Sequence, residues 1–171
     1  MNKFKKYLST LFLIPLLFLG GCYSFTGGSI PSHLKSLQIT NVVDNSGYGV
    51  PLVKDDFTNK LNNRFRSDNS FQIVLQNGNA RLSVTILSIK DDPVSIGIQN
   101  KNELETQRKI TLTCKAEYFD NVKKKQIFEK TFSNFDVFSL SGNVQQNRNE
   151  KILKSLDQIC DDIIVAVVSG W

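Results

Sequence analysis

KITLTCKAEYF, residues 109–119, alternates without a break. Ile110, Leu112, Cys114, Ala116 and Tyr118 fall on one side, and Thr111, Thr113, Lys115 and Glu117 fall on the other. A two-residue period of this length predicts a β-strand with one face buried and the other polar. A sheet with a single apolar face needs a second layer to cover it. The fold therefore turns on finding the segments that supply that layer.

Working outward, Asp120 to Lys125 (DNVKKK) turns the chain, and Gln126 to Phe138 returns it as a second, aromatic-rich strand. The covering layer follows. From Val144 to Ser169, Ile152, Leu156, Ile159, Ile163 and Val167 form a stripe at helical spacing, and Gly170 is placed to cap the end. Residues 163–168 are apolar on every side, which predicts a buried helix end. Upstream, Val53, Phe57, Leu61 and Phe65 recur every four residues and predict a second amphipathic helix of about four turns. Strands are expected over Lys35–Val43 and Phe71–Leu75 and from Leu82 onward, where a phase shift at Leu87 signals a bulge. Gln76-Asn77-Gly78-Asn79 has the composition of a tight hairpin turn. Asp91 to Glu105 has no clean period and reads as a loop with ragged strand ends. The order strand, helix, strands, helix gives an α+β class: two helices on one face of a mixed sheet of four to five strands.

The chain has 171 residues, and its 21 Lys+Arg against 16 Asp+Glu invite a nucleic-acid reading. The placement of the charges removes it. Lys3, Lys5 and Lys6 precede an apolar run from Leu8 to Leu19, which ends in Gly20-Gly21-Cys22. Such an order describes a secretory leader, and the run is short for a membrane span and broken by Pro15. Leu19-Gly20-Gly21-Cys22 resembles the lipobox of bacterial lipoproteins, in which the Cys thiol receives diacylglycerol, the chain is cut before it and the new amine is acylated. This resemblance implies removal of residues 1–21, lipidation with fatty acids such as palmitate at Cys22, and a tether over residues 22–33. One domain follows over residues 34–171. Tyr23 in place of Asp implies sorting to the outer membrane. Loss of the leader takes three lysines and no acids, leaving about +2 on 150 residues.

No catalytic motif emerges. His33 has no nucleophile or carboxylate at motif spacing and reads as a lone surface histidine, which excludes a multi-histidine metal site. The pairs Asp55-Asp56, Asp91-Asp92 and Asp161-Asp162 read as solvated charges, since adjacent side chains diverge on helix and strand alike. No cofactor motif is present. Cys114 lies on the apolar side of its strand and Cys160 borders the apolar stripe of the last helix. If that helix packs on that sheet the two thiols meet, and a disulfide there would contribute roughly 4 kcal/mol. The other reading is two free, buried thiols. Lys123-Lys124-Lys125 is the one compact basic cluster of the mature chain. It is either a solubilising turn or an electrostatic contact for lipid phosphates or an acidic partner.

Several stretches together resemble the LptE family of lipopolysaccharide-assembly lipoproteins. They are Gly21-Cys22-Tyr23-Ser24-Phe25, Ser32-His33-Leu34-Lys35-Ser36-Leu37, Phe57-Thr58-Asn59-Lys60-Leu61 and Asn79-Ala80-Arg81-Leu82-Ser83-Val84. The strand at Lys109–Phe119, the return at Phe128–Phe138 and the ending Ser169-Gly170-Trp171 follow in the family's order. Arg81 departs from the Asp usual at its place. The resemblance implies a non-catalytic outer-membrane lipoprotein that plugs an LptD-type β-barrel, helps it assemble, and contacts lipopolysaccharide. The alternative is a periplasmic lipoprotein that activates a cell-wall synthase or forms a subunit of a secretion pore.

Overall fold

The computed structural model describes residues 30–49, 53–99 and 102–169. Among the described residues, six strands and two helices run in the order β1 (Ser36–Ile39), β2 (Val43–Asp44), α1 (Val53–Asp68), β3 (Gln72–Val74), β4 (Ala80–Gln99), β5 (Asn102–Asp120), β6 (Lys125–Ser139) and α2 (Val144–Ser169). The sheet order is β3-β1-β4-β5-β6, with β2 pairing on β4. The class is the expected one, two helices on a mixed sheet. The two-residue β2 takes the strand count to six.

The core lies between the sheet's inner face and the helices. Ile110, Leu112, Cys114, Ala116 and Tyr118 of β5 are all fully buried beside Leu82, Val84 and Ile86 of β4. From α1, Val53, Phe57, Leu61 and Phe65 enter the same core. From α2 come Ile152, Leu156, Ile159, Ile163 and Val167. Asp55 and Asp56 occupy the first turn of α1, where the helix dipole favours negative charge. The helices are tied together by Lys60 Nζ to Asp157 at 2.6 Å and Arg64 Nη2 to Asp161 at 3.3 Å.

The outer face of the sheet is mostly polar, with the exposed Phe135 of β6 as an apolar exception opposite Thr111. Lys115 Nζ reaches Glu117 at 2.6 Å and Glu129 at 3.6 Å, and the hydroxyls of Thr113 and Ser133 lie 3.3 Å apart across β5 and β6.

Four expectations change. The strand over Lys35–Val43 divides, because the Val42 amide donates to the Thr58 hydroxyl of α1 (3.0 Å) instead of to a neighbouring strand. The Gln76–Asn79 turn does not close a hairpin. β3 and β4 both pair parallel to β1, which lies between them. Residues 91–99 and 102–105 are strand, not loop: β4 pairs antiparallel with β5 out to Gln99↔Asn102. β6 ends at Ser139↔Gln107, so the far part of this hairpin continues as a two-stranded ribbon. A backbone ladder can hold a ribbon whose hydropathy has no period, because the period reports only a covered face. Finally, the end of α2 is not buried all round. Ile163 and Val167 face the core, while Val165 is 62% exposed. The bulge expected near Leu87 is present as a register shift between Ile86 and Ser88.

A candidate polar cleft and lysine turn

The β5–β6 turn carries Lys123, Lys124 and Lys125, all exposed. Its shape is set by Asp120, the last residue of β5. One carboxylate oxygen accepts the backbone amides of Val122 and Lys123, each at 2.8 Å. A short acidic side chain bonding amides two and three residues ahead is a self-contained turn former. Lys124 takes φ of 55°, the left-handed conformation that completes the reversal.

The other oxygen of Asp120 accepts from His33 Nε2 at 2.7 Å. His33 is therefore not a lone surface residue: it joins the start of the domain to this turn, against a carboxylate that is almost fully buried. Burial alone would push the Asp120 carboxyl up. The hydrogen bonds from His33 and from the Lys123 and Val122 amides outweigh it and hold the carboxyl below its ordinary range. Sequence reading missed this pair because 87 residues separate its members, and no local period links them.

A second loop closes on the turn. The Asn121 side chain donates to the Gly78 carbonyl at 2.8 Å, and its amide donates to the Asn79 carbonyl at 2.9 Å. The Asn79 side chain accepts from the Ser36 amide and hydroxyl at 3.2 and 3.0 Å, fixing the loop to β1. Between loop and turn lies a cleft of about 450 Å³, lined by Gln38, Asn77, Asn79, Arg81, Asn121, Val122 and Lys124, with the Gly78 backbone. Its lining has two cations, four side-chain amides and no carboxylate. The Arg81 guanidinium lies 5.3 Å from the centre of the Phe119 ring. Such a lining can hydrogen-bond phosphate oxygens or sugar hydroxyls. It holds no nucleophile with a base beside it, and among the described residues no cluster of metal-ligating side chains forms.

The remaining sequence candidates lie elsewhere. Cys114 and Cys160 are both buried and free, so of the two readings of this pair the structure has the unbridged one. Asp91 is not a solvated charge. It receives Arg108 Nε at 2.5 Å and the Tyr48 hydroxyl at 3.3 Å, with Arg148 Nη1 at 3.7 Å. Asp161 pairs with Arg64. Cys22 and Gly170 lie outside the described residues.

The lipopolysaccharide-assembly LptE model matches residues 34–167. The chain belongs to the LptE family. That span takes in both helices up to Val167, all six strands, the lysine turn and the cleft. LptE is a family of lipopolysaccharide-assembly lipoproteins without enzymatic activity. No curated protein matches the chain. Among solved structures it is similar to a protein from Xanthomonas campestris at 10% identity and TM-score 0.59, over 83% of this chain and 91% of that one. It is also similar to a minor lipoprotein from Acinetobacter baumannii (14%, TM-score 0.53, 80% and 94%). A third likeness is to rare lipoprotein B from Shewanella oneidensis (12%, TM-score 0.52, 80% and 96%). At these identities the likeness is one of fold. No helix among the described residues is long and apolar enough to cross a membrane.

Proposed function

We propose that this LptE-family chain is a lipid-anchored outer-membrane protein that plugs an LptD-type β-barrel and assists its assembly, with lipopolysaccharide passing beside it. The family match over residues 34–167 carries the reading. The mostly polar outer face of the sheet supports it, since the lumen of a large outer-membrane barrel is polar as well. A domain of this length has a radius of gyration of about 15 Å, so only an unusually wide barrel encloses it. In this reading residues 1–21 are a leader, Cys22 carries the acyl chains, and residues 22–33 tether the domain of residues 34–171. Lys123, Lys124 and Lys125 would contact lipid phosphates, of lipopolysaccharide or of the leaflet that holds the anchor, or an acidic partner surface.

The test is to recover the acylated protein from outer membranes and identify what comes with it. A large β-barrel is the expected companion. Recovery of a cell-wall synthase, or of a ring of identical copies, in place of a barrel would overturn the reading in favour of an activator or pore subunit. Replacing Lys123, Lys124 and Lys125 by Ser should weaken binding of a phosphorylated lipid and flatten its salt dependence. Unchanged binding would remove the turn from the contact.

A further inference from the structure

We infer that the end of the domain bearing the lysine turn is a membrane-contact surface, which lies on the anionic lipid of the leaflet holding the anchor and directs the β4–β5 ribbon away from it. The orientation rests on the lipidation of Cys22 proposed above; the lipid contact itself does not.

The tether joins the fold beside the lysine turn. His33 is held at 2.7 Å to Asp120, so the chain enters the domain beside the β5–β6 turn. The eleven residues from Cys22 to His33 span at most about 40 Å when fully extended. Ala80, at the start of β4, pairs with Asp120 and so lies at this same end. From there β4 runs 20 residues to Gln99, about 60 Å of strand. The tether is too short for the ribbon tip and the lysine turn to exchange places against the membrane.

The surface at the tethered end has the composition that lipid headgroups attract. Lys123, Lys124, Lys125 and Arg81 are exposed there, and among the described residues none is paired with a carboxylate. Asp120 does not offset them, because it is 4% exposed and turned inward on His33 and the turn amides. Exposed apolar side chains occur in the turn and in the loop facing it. Val122, inside the turn, is 54% exposed, and Leu75, in the loop that lines the cleft, is 91% exposed. Basic residues interleaved with exposed aliphatic ones describe an interfacial surface: the charges draw it to phosphates, and the aliphatic groups enter the headgroup boundary. A turn that served solubility alone would have no use for an exposed valine beside its lysines.

The experiment uses the mature chain carrying Cys22→Ala, so that no acyl anchor contributes, mixed with vesicles and sedimented. Binding to phosphatidylglycerol–phosphatidylethanolamine vesicles is expected, at least tenfold stronger than to phosphatidylcholine and falling with salt. Replacing Lys123, Lys124, Lys125 and Arg81 by Ser should lower that binding at least tenfold, and Val122→Ser with Leu75→Ser should lower it severalfold. All six positions are exposed, and retention of the far-ultraviolet circular dichroism confirms that the variants fold. Equal binding to neutral vesicles, no binding at all, or an unaffected quadruple variant would overturn the proposal. So would binding to lipopolysaccharide alone, which would assign the turn to cargo. For orientation, the acylated protein is labelled at Val122→Cys or at Val94→Cys, a position 49% exposed on β4 toward the ribbon. A quencher lipid should dim the first label and spare the second; the reverse overturns the orientation. If the mature protein proves to lack acyl chains by mass, the anchor fails while the vesicle result still decides the surface.

Discussion

At the scale of single residues, the molecule places ionisable groups where burial and partners set their behaviour. Burial pushes the Cys114 thiol up to about 12, with the charge of Asp44 adding to it, and pushes Cys160 equally far, with Asp157 adding. Neither is a nucleophile in the folded chain, since the thiolate is the reactive form. A thiol reagent should therefore leave Cys114 and Cys160 unmodified in the native protein and label both on denaturation without reductant. Failure to label after denaturation would mean that they are bridged. Asp120 behaves in the opposite direction. Its carboxyl is lower in the folded than in the unfolded chain, so the unfolded state binds more protons as pH falls through that window. Its contribution is whole above the ordinary carboxylate range and fades below it. Asp120→Asn should lower stability by about 2 kcal/mol at neutral pH. In urea titrations that difference should shrink between about pH 5 and pH 3. A difference independent of pH would show that the charge of Asp120 is not what holds His33 and the turn.

At the scale of elements, the loop between β3 and β4 separates local signal from tertiary demand. Asn77-Gly78 has the composition of a hairpin turn, and Asn77 does adopt positive φ, at 56°. Gly78 is needed for a different reason. A Cβ there would stand 2.6 Å from the Gln38 amide nitrogen and 2.7 Å from the Ala80 carbonyl oxygen, both backbone atoms. Gly78→Ala should therefore cost about 2–3 kcal/mol by forcing the loop off β1, read as a lowered denaturation midpoint. A neutral outcome would mean that loop and strand can separate freely. Helices were the most legible elements. The stripes Val53-Phe57-Leu61-Phe65 and Ile152-Leu156-Ile159-Ile163-Val167 are the buried residues themselves, because an amphipathic helix carries its own period wherever it docks. The ribbon was illegible for the converse reason: with no layer over it, nothing in the order of its residues had to alternate.

At the scale of the whole molecule, Asp91 marks where distant parts are joined. It gathers Arg108 of β5, Arg148 of α2 and Tyr48 of the loop after β2 at the root of the ribbon, and is itself 15% exposed. The Arg148 guanidinium also lies 5.9 Å from the centre of the Tyr48 ring. Removing the carboxylate leaves two guanidinium groups without their shared partner. Asp91→Ala is expected to cost about 2 kcal/mol and to speed hydrogen exchange both at the first turn of α2 and in β4 and β5 beside it. Faster exchange in only one of these would show that the cluster does not couple them. At the opposite end of the sheet, His33 and Asp120 perform the corresponding junction for the start of the domain.

The class of the fold, the buried face of β5, both helices and the family resemblance are legible from the order of the residues alone. Each of these is written in a local period or a contiguous motif. Which strands are neighbours, why Gly78 must be glycine, that Cys114 and Cys160 are unbridged, and that His33, Arg81 and the lysines share one end came only with the tertiary structure. Those outcomes depend on pairings across tens of residues, where strand order and helix docking set which side chains meet and adjacency in the chain does not.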